Sequence, residues 1–205
     1  MKPLAAALLL LAGCGGAPLH VSLAEPSPPP TANDYVDQVK LWTRHAHLRN
    51  DFDAALDVDA TLRSPQFRAA YAEKYIQIYR IGPENQARIR GELISDGADS
   101  YEFHVETVTH DYALNDLTSA KTIWRVTLID DQAHEVVPGS VVGIKERLPL
   151  DNLFYPYTTI FSRGWVLRFP RARADGTPLV GGATRSLTLR FAGPQGSVDL
   201  VWLLK

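Results

Sequence analysis

The chain is 205 residues long, with 45% hydrophobic residues, 21% charged residues and a formal net charge of −2. That near-neutral balance argues against nucleic acid as a partner and against a polybasic membrane patch, because both kinds of recognition rest on an excess of cation. Cys14 is the only cysteine, so a disulfide framework, thiolate metal sites and a cysteine nucleophile are excluded from everything downstream of it.

Met1-Lys2-Pro3 is followed by a run of leucine and alanine from Leu4 to Leu11, then Ala12, Gly13 and Cys14. One positive charge and an apolar run much shorter than the ~20 residues that span a bilayer read as a secretory signal, not as an anchor helix. Leu11-Ala12-Gly13-Cys14 resembles the lipobox of bacterial lipoproteins. The resemblance implies cleavage before Cys14, a diacylglycerol on its thiol and a palmitate-like acyl group on the new amine. Gly15, standing where an aspartate would retain such a protein at the inner membrane, implies sorting to the outer one. The only thiol of the chain falls at the one position where acylation needs it. Two or more acyl chains, each contributing about 0.8 kcal/mol per buried methylene, hold a protein at a membrane without further contacts.

Residues 14–33 contain Gly15-Gly16-Ala17-Pro18 and Glu25-Pro26-Ser27-Pro28-Pro29-Pro30-Thr31. Proline at this density favours extended polyproline II, which suits a tether that lifts a domain away from the lipid. The chain thus divides into a signal at 1–13, a lipidated Pro-rich tether at 14–33 and a single β-rich domain at 34–205, with no internal repeat.

Within the domain, Leu41–Leu48 reads as a strand pairing with 54–62 across a turn at 49–53, although Tyr35, Val39, Trp42 and Ala46 also fit a helical stripe. Leu56, Val58, Ala60 and Leu62 recur at every second position, the period of a half-buried strand. Ser64 suits an N-cap and Pro65 the first helical position. Phe67, Tyr71, Tyr75 and Ile78 then follow at helical spacing up to Gly82-Pro83. A shorter helix is expected from Pro83 to about Ser95, with Ile89 and Leu93 on its buried side.

Further strands are expected at Tyr101, Phe103 and Val105, at Trp124, Val126 and Leu128, at Val141–Lys145, and at Trp165, Leu167 and Phe169. Leu187, Leu189 and Phe191, a turn at Gly193-Pro194-Gln195-Gly196, and Val198, Leu200, Trp202 and Leu204 form a hairpin signature. The four tryptophans, Trp42, Trp124, Trp165 and Trp202, all fall in these strands and are expected in the core. The pattern as a whole suggests a mainly β fold with a helical insertion at about 65–95. The expected architecture is an antiparallel two-sheet sandwich of immunoglobulin-like character, with a small barrel as the alternative.

Trp42-Thr43-Arg44, the segment Ala60-Thr61-Leu62-Arg63-Ser64-Pro65-Gln66-Phe67, and Leu189-Arg190-Phe191-Ala192-Gly193-Pro194-Gln195-Gly196 resemble segments of bacterial envelope lipoproteins of similar length. That resemblance implies a fold and no activity.

Several catalytic motifs are absent. There is no Gly-x-Ser-x-Gly elbow and no phosphate-binding Gly-x-x-x-x-Gly-Lys, and His134-Glu135 continues as Val-Val-Pro, which is not a zincin helix. The most suggestive polar set is Glu102, His104 and Glu106, which alternation places on one face of a strand. Two carboxylates beside an imidazole suit a divalent cation or a proton relay. The plainer expectation is a solvated strand face, where such residues ordinarily sit. His110-Asp111 extends the set only if its loop folds back.

His45 and His47 share a face if their segment is a strand, a spacing suited to zinc or copper, yet a metal needs three or four ligands and only two are evident. The plainer expectation there is the outer face of an edge strand. Phe154, Tyr155, Pro156 and Tyr157 suggest either an aromatic ligand loop or a cap over the end of the core. Asp130-Asp131 reads as a turn.

The reading that fits best is an outer-membrane-anchored lipoprotein facing the periplasm, a non-catalytic binding or scaffold module with no cofactor. Its partners are the membrane, through the lipid, and an envelope protein. One alternative is a metal-dependent envelope hydrolase using the Glu102, His104 and Glu106 face, and another is an accessory subunit of an envelope or secretion assembly.

Overall fold

In the computed structural model, residues 19–50, 53–147 and 150–205 are described. The signal, Cys14 and the first residues of the tether lie outside the described residues. In chain order the elements are β1 (His20–Val21), α1 (Tyr35–Trp42), β2 (Thr43–Asn50), β3 (Asp53–Leu62), α2 (Pro65–Ile78), α3 (Pro83–Ser95) and β4 (Ser100–Val108). They continue with β5 (Arg125–Asp130), β6 (Glu135–Val136), β7 (Ser140–Gly143), α4 (Asp151–Phe154), β8 (Arg163–Pro170), β9 (Ser186–Gly193) and β10 (Gly196–Leu204). Among the described residues no helix is long and apolar enough to cross a membrane.

The strands form two five-stranded sheets, ordered β1-β10-β9-β5-β6 and β2-β3-β4-β8-β7. The hairpin at the end of the chain forms in the expected register, with Phe191 opposite Val198 and Leu187 opposite Trp202. Not every pair is antiparallel, because β1 runs parallel to β10. Leu189, Phe191, Leu200 and Trp202 of the first sheet and Val58, Phe103, Leu167 and Phe169 of the second belong to one buried apolar cluster. The Phe103 and Trp202 rings, one from each sheet, lie 5.3 Å apart.

The segment 41–48 corrects the expectation of a continuous strand. Tyr35, Val39 and Trp42 do form a helical stripe, buried on one side of α1, and the chain turns to strand at Thr43. Both periodicities were present, and they meet at residue 42. Trp42 therefore ends a helix, and Trp124 sits one residue before β5, so these two tryptophans are not in strands. All four are nonetheless buried.

α2 starts as its sequence dictates, with the Ser64 hydroxyl accepting a hydrogen bond from the Phe67 amide at 3.1 Å and Pro65 at the first position. α3 follows after Gly82, but it is peripheral. Ile89 and Leu93 are half-buried, and no residue of this helix is fully buried. It is held to α2 partly by Arg90 Nε on Glu73 Oε1 at 2.5 Å.

The largest departure concerns β4. Tyr101, Phe103 and Val105 face the core as expected, but Glu102, His104 and Glu106 on the opposite face are also buried. Arg68 from the first turns of α2 and Tyr155 from just after α4 reach this face and cover it. The expectation of a solvated strand face is therefore wrong. Strand alternation reports which residues share a face, not whether another element covers it.

Candidate functional site

The covered face of the second sheet carries buried Glu102, His104 and Glu106 together with the arginines that engage them. Glu102 is fully buried. Its Oε1 accepts from Arg63 Nη1 at 2.5 Å and lies 3.4 Å from Arg68 Nη2, while its Oε2 accepts from Arg168 Nε at 2.5 Å. Each arginine is delivered by a different element. Arg168 is the cross-strand neighbour of Glu102 on β8, Arg63 follows the end of β3, and Arg68 is on α2. Taking a carboxylate out of water costs several kcal/mol, and this guanidinium clasp offsets that cost.

The clasp is rich in cation. Besides Glu102, the half-exposed Asp96 is the one carboxylate that joins it among the described residues, 3.1 Å from Arg168 Nη2 and 3.9 Å from Arg63 Nη1. Arg63 Nε and Arg68 Nη1 are buried without a hydrogen-bond partner among the described residues. Burial, and then repulsion from Arg63, lowers the Arg68 guanidinium to about 10. Beside the clasp is a cavity of about 120 Å3 whose lining includes Leu62, Arg63, Arg68, Ile94, Tyr101 and Arg171.

Four residues along β4, Glu106 forms a second knot. Its Oε2 accepts from Arg147 Nη2 at 2.7 Å, and its Oε1 lies 3.3 Å from both His104 Nε2 and Thr158 Oγ1. Burial works to raise this carboxyl, but hydrogen bonds from His104, Ser162 and Arg147 outweigh it and hold the group below its ordinary value. Gly164 is its cross-strand neighbour, and a Cβ there would stand 2.9 Å from Glu106 Oε1. The strand must be bare at that point for the carboxylate to fit.

The His104 ring lies flat on Tyr155, with centroids 3.5 Å apart and planes 2° from parallel. Burial depresses its affinity for a proton, with Glu106 opposing. The sequence set Glu102, His104 and Glu106 is thus split: the first belongs to the arginines, the other two to each other and Arg147. Among the described residues, no group of three or more His, Asp or Glu side chains is arranged to hold a metal ion. His110 donates its backbone amide to the Ala54 carbonyl at 3.2 Å, and Asp111 does not extend the set. Asp111 instead accepts from the Ala113 amide at 2.9 Å, capping a short 3₁₀ turn.

The aromatic segment forms a cap. Phe154 and Tyr155 are buried, and the Tyr35 hydroxyl donates to the Phe154 carbonyl at 2.8 Å. Tyr157 and Thr61 share a hydrogen bond of 2.6 Å. Asp130 does sit at a turn, where its Oδ1 accepts from the amides of Gln132 and His134 and its Oδ2 is 2.8 Å from His134 Nδ1.

At the edge of the same sheet, β2 pairs with β3 so that His45 stands opposite Asp59 and His47 opposite Asp57. His45 Nδ1 is 2.7 Å from Asp59 Oδ1, His47 Nδ1 is 2.6 Å from Asp57 Oδ1, and the two Nε2 atoms are 2.7 Å apart. The histidines were identifiable in sequence. Asp57 and Asp59 carry no motif of their own, although alternation at Asp57, Val58 and Asp59, together with the pairing across 49–53, places both on the histidines' face. The arginines of the clasp left no sequence signal, because Arg63, Arg68 and Arg168 converge only through tertiary packing.

No family model and no curated protein matches the chain. Among solved structures, the chain is similar to a crystal structure from Burkholderia pseudomallei described as a novel protein of unknown function. The two share 11% identity with a TM-score of 0.41, over 87% of this chain and 92% of that one.

Proposed function

We propose that the protein is a lipoprotein anchored to the outer membrane through Cys14, and that its β-rich domain is a non-catalytic binding or scaffold module in the periplasm. The anchor half rests on the leader and on Leu11-Ala12-Gly13-Cys14. The observation that carries the other half is the clasp: Glu102 is engaged by Arg63, Arg68 and Arg168, and Glu106 by Arg147. Carboxylates held by guanidinium groups are poor bases and poor metal ligands, and their work here is to fix α2, Arg147 and Thr158 onto the sheet. We carry forward the face-to-face sandwich of immunoglobulin-like character as part of this reading, supported by the one apolar cluster that both sheets share. The cavity beside Arg68 offers an apolar wall with cationic groups, a composition suited to binding.

The test uses the full chain in a bacterial host fed a clickable palmitate analogue. The expected result is incorporation of the label and retention in outer-membrane fractions after a high-salt wash, with both lost in Cys14→Ser. Retention of Cys14→Ser in washed outer membranes overturns the anchor. Hydrolysis of ester, amide or glycoside substrates by the purified chain, abolished in Glu106→Gln, overturns the non-catalytic reading.

A further inference from the structure

The geometry points to a transition-metal site at the sheet edge, in which His45 Nε2 and His47 Nε2 together bind one divalent ion of the Zn²⁺ or Cu²⁺ class. An aspartate carboxylate only accepts, so Asp59 and Asp57 at 2.7 and 2.6 Å require a proton on Nδ1 of both histidines. A neutral imidazole protonated at Nδ1 carries a bare lone pair at Nε2. The two Nε2 atoms nevertheless face each other at 2.7 Å, with ring planes 89° apart. Two lone pairs at that distance repel unless a positive charge lies between them, either a shared proton or a metal ion.

The rest of the surroundings favours the metal. Carboxylate on Nδ1 with metal on Nε2 is the arrangement by which proteins fix the tautomer of a ligating histidine and raise its basicity. Two bonds of about 2.0–2.1 Å at right or tetrahedral angles separate the nitrogens by about 2.8–3.4 Å, against the 2.7 Å observed. The side chains of His45 and His47 are 48% and 44% exposed, so the rings are free to open by that amount and water can fill the remaining coordination positions. The two aspartates balance the charge of a divalent ion, and Arg49 reaches only Asp57, at 3.6 Å. Imidazole nitrogen selects Zn²⁺, Cu²⁺ or Ni²⁺ over Ca²⁺ and Mg²⁺, which demand oxygen. The site has only two protein ligands, which makes it an open one with room for an exchangeable third group. None of this depends on the lipid anchor or on the absence of catalysis.

The test is titration of the purified full chain, in detergent and carrying Cys14→Ser so that no thiol competes, with ZnCl₂ and separately with CuCl₂. The expected result is a saturable one-to-one site of micromolar affinity. It should weaken by tenfold or more in His45→Gln and in His47→Gln, and by 10–100-fold in Asp59→Asn. Substoichiometric Cu²⁺ should broaden backbone NMR signals centred on residues 44–48 and 57–60 of the same Cys14→Ser chain with both histidines intact, a readout that holds even if a histidine variant folds poorly. No saturable binding below millimolar metal, undiminished affinity in the histidine variants, or broadening centred elsewhere overturns the site.

Discussion

Tyr155 lies against His104 as a parallel plate, 3.5 Å between centroids, and so closes the outer face of β4 over a titratable ring. Truncating it opens a large void over a polar face. Tyr155→Ala should cost about 3–5 kcal/mol in a urea unfolding titration, the range for removing a buried aromatic, whereas Tyr155→Phe keeps the stacked ring and should stay within about 1 kcal/mol. Equal losses in the two variants would mean that the hydroxyl, not the plate, holds this face.

The same burial makes His104 a source of acid sensitivity. Desolvation lowers its folded-state pKa below the ordinary 6.5, against the opposing pull of Glu106 and Asp151 and with a smaller push from Arg63. In the unfolded chain the ring takes up a proton as pH falls through about 6.5, and in the folded chain it does not. The contribution of His104 is therefore fully present above that pH and is lost as pH falls through the window below it. Glu106, held below its ordinary 4.5 by its partners, adds a second loss at lower pH. Urea midpoints measured from pH 7.5 to 5 should fall with acidification, and His104→Gln should flatten that slope whatever it does to stability at pH 7.5.

Glu102 and its arginines are not equivalent partners. Replacing the carboxylate in Glu102→Gln leaves buried guanidinium groups facing one another and should cost about 3–5 kcal/mol, the penalty for breaking a buried ion pair from one side. Arg68→Met removes a cation that burial and Arg63 already disfavour and whose own Nη1 has no hydrogen-bond partner among the described residues, and it leaves Glu102 with Arg63 and Arg168. Its cost should be smaller, about 1 kcal/mol, read from the same denaturant titration. A larger loss for Arg68→Met than for Glu102→Gln would reverse this account of which charge is in excess.

Gly97, between α3 and β4, lies against that clasp. Its φ is +67°, and a Cβ there would collide with Glu102 Oε2. Gly97→Ala must both adopt a left-handed backbone, at about 1–2 kcal/mol, and push aside a carboxylate that cannot leave its arginines. The expected loss is about 2 kcal/mol or more in thermal or urea unfolding. In a Glu102→Ala background the steric part should vanish, so the double-mutant cycle should show coupling.

How far these features could be read in advance depends on whether they are local. Ser64-Pro65 before Phe67, the Gly193–Gly196 turn and the alternation at 101–105 each act within a few residues, and each formed where the pattern put it. The polar face of β4 was misjudged because alternation fixes a side, while burial was decided by α2 and Tyr155, which arrive from elsewhere in the chain. The edge histidines were visible, but their meaning lay in Asp57 and Asp59 on a neighbouring strand. The segment around Trp42 failed for a subtler reason, in that it satisfied two periods at once.

Trp42 also supplies the last test, because the junction at which helix becomes strand is stabilised from the other sheet. The Trp202 indole nitrogen donates to the Trp42 carbonyl at 2.8 Å, at the last residue of α1, immediately before β2 begins. Both side chains are fully buried, so that carbonyl has no access to water. Trp202→Phe keeps much of the apolar bulk but removes the donor, and stranding a buried carbonyl costs about 1–3 kcal/mol beyond the lost volume. If the bond sets the junction, hydrogen exchange in Trp202→Phe should accelerate at the amides of residues 42–44 more than at β9, which flanks the same tryptophan. Uniform acceleration along β9 and β10 would instead show that the indole acts through packing alone.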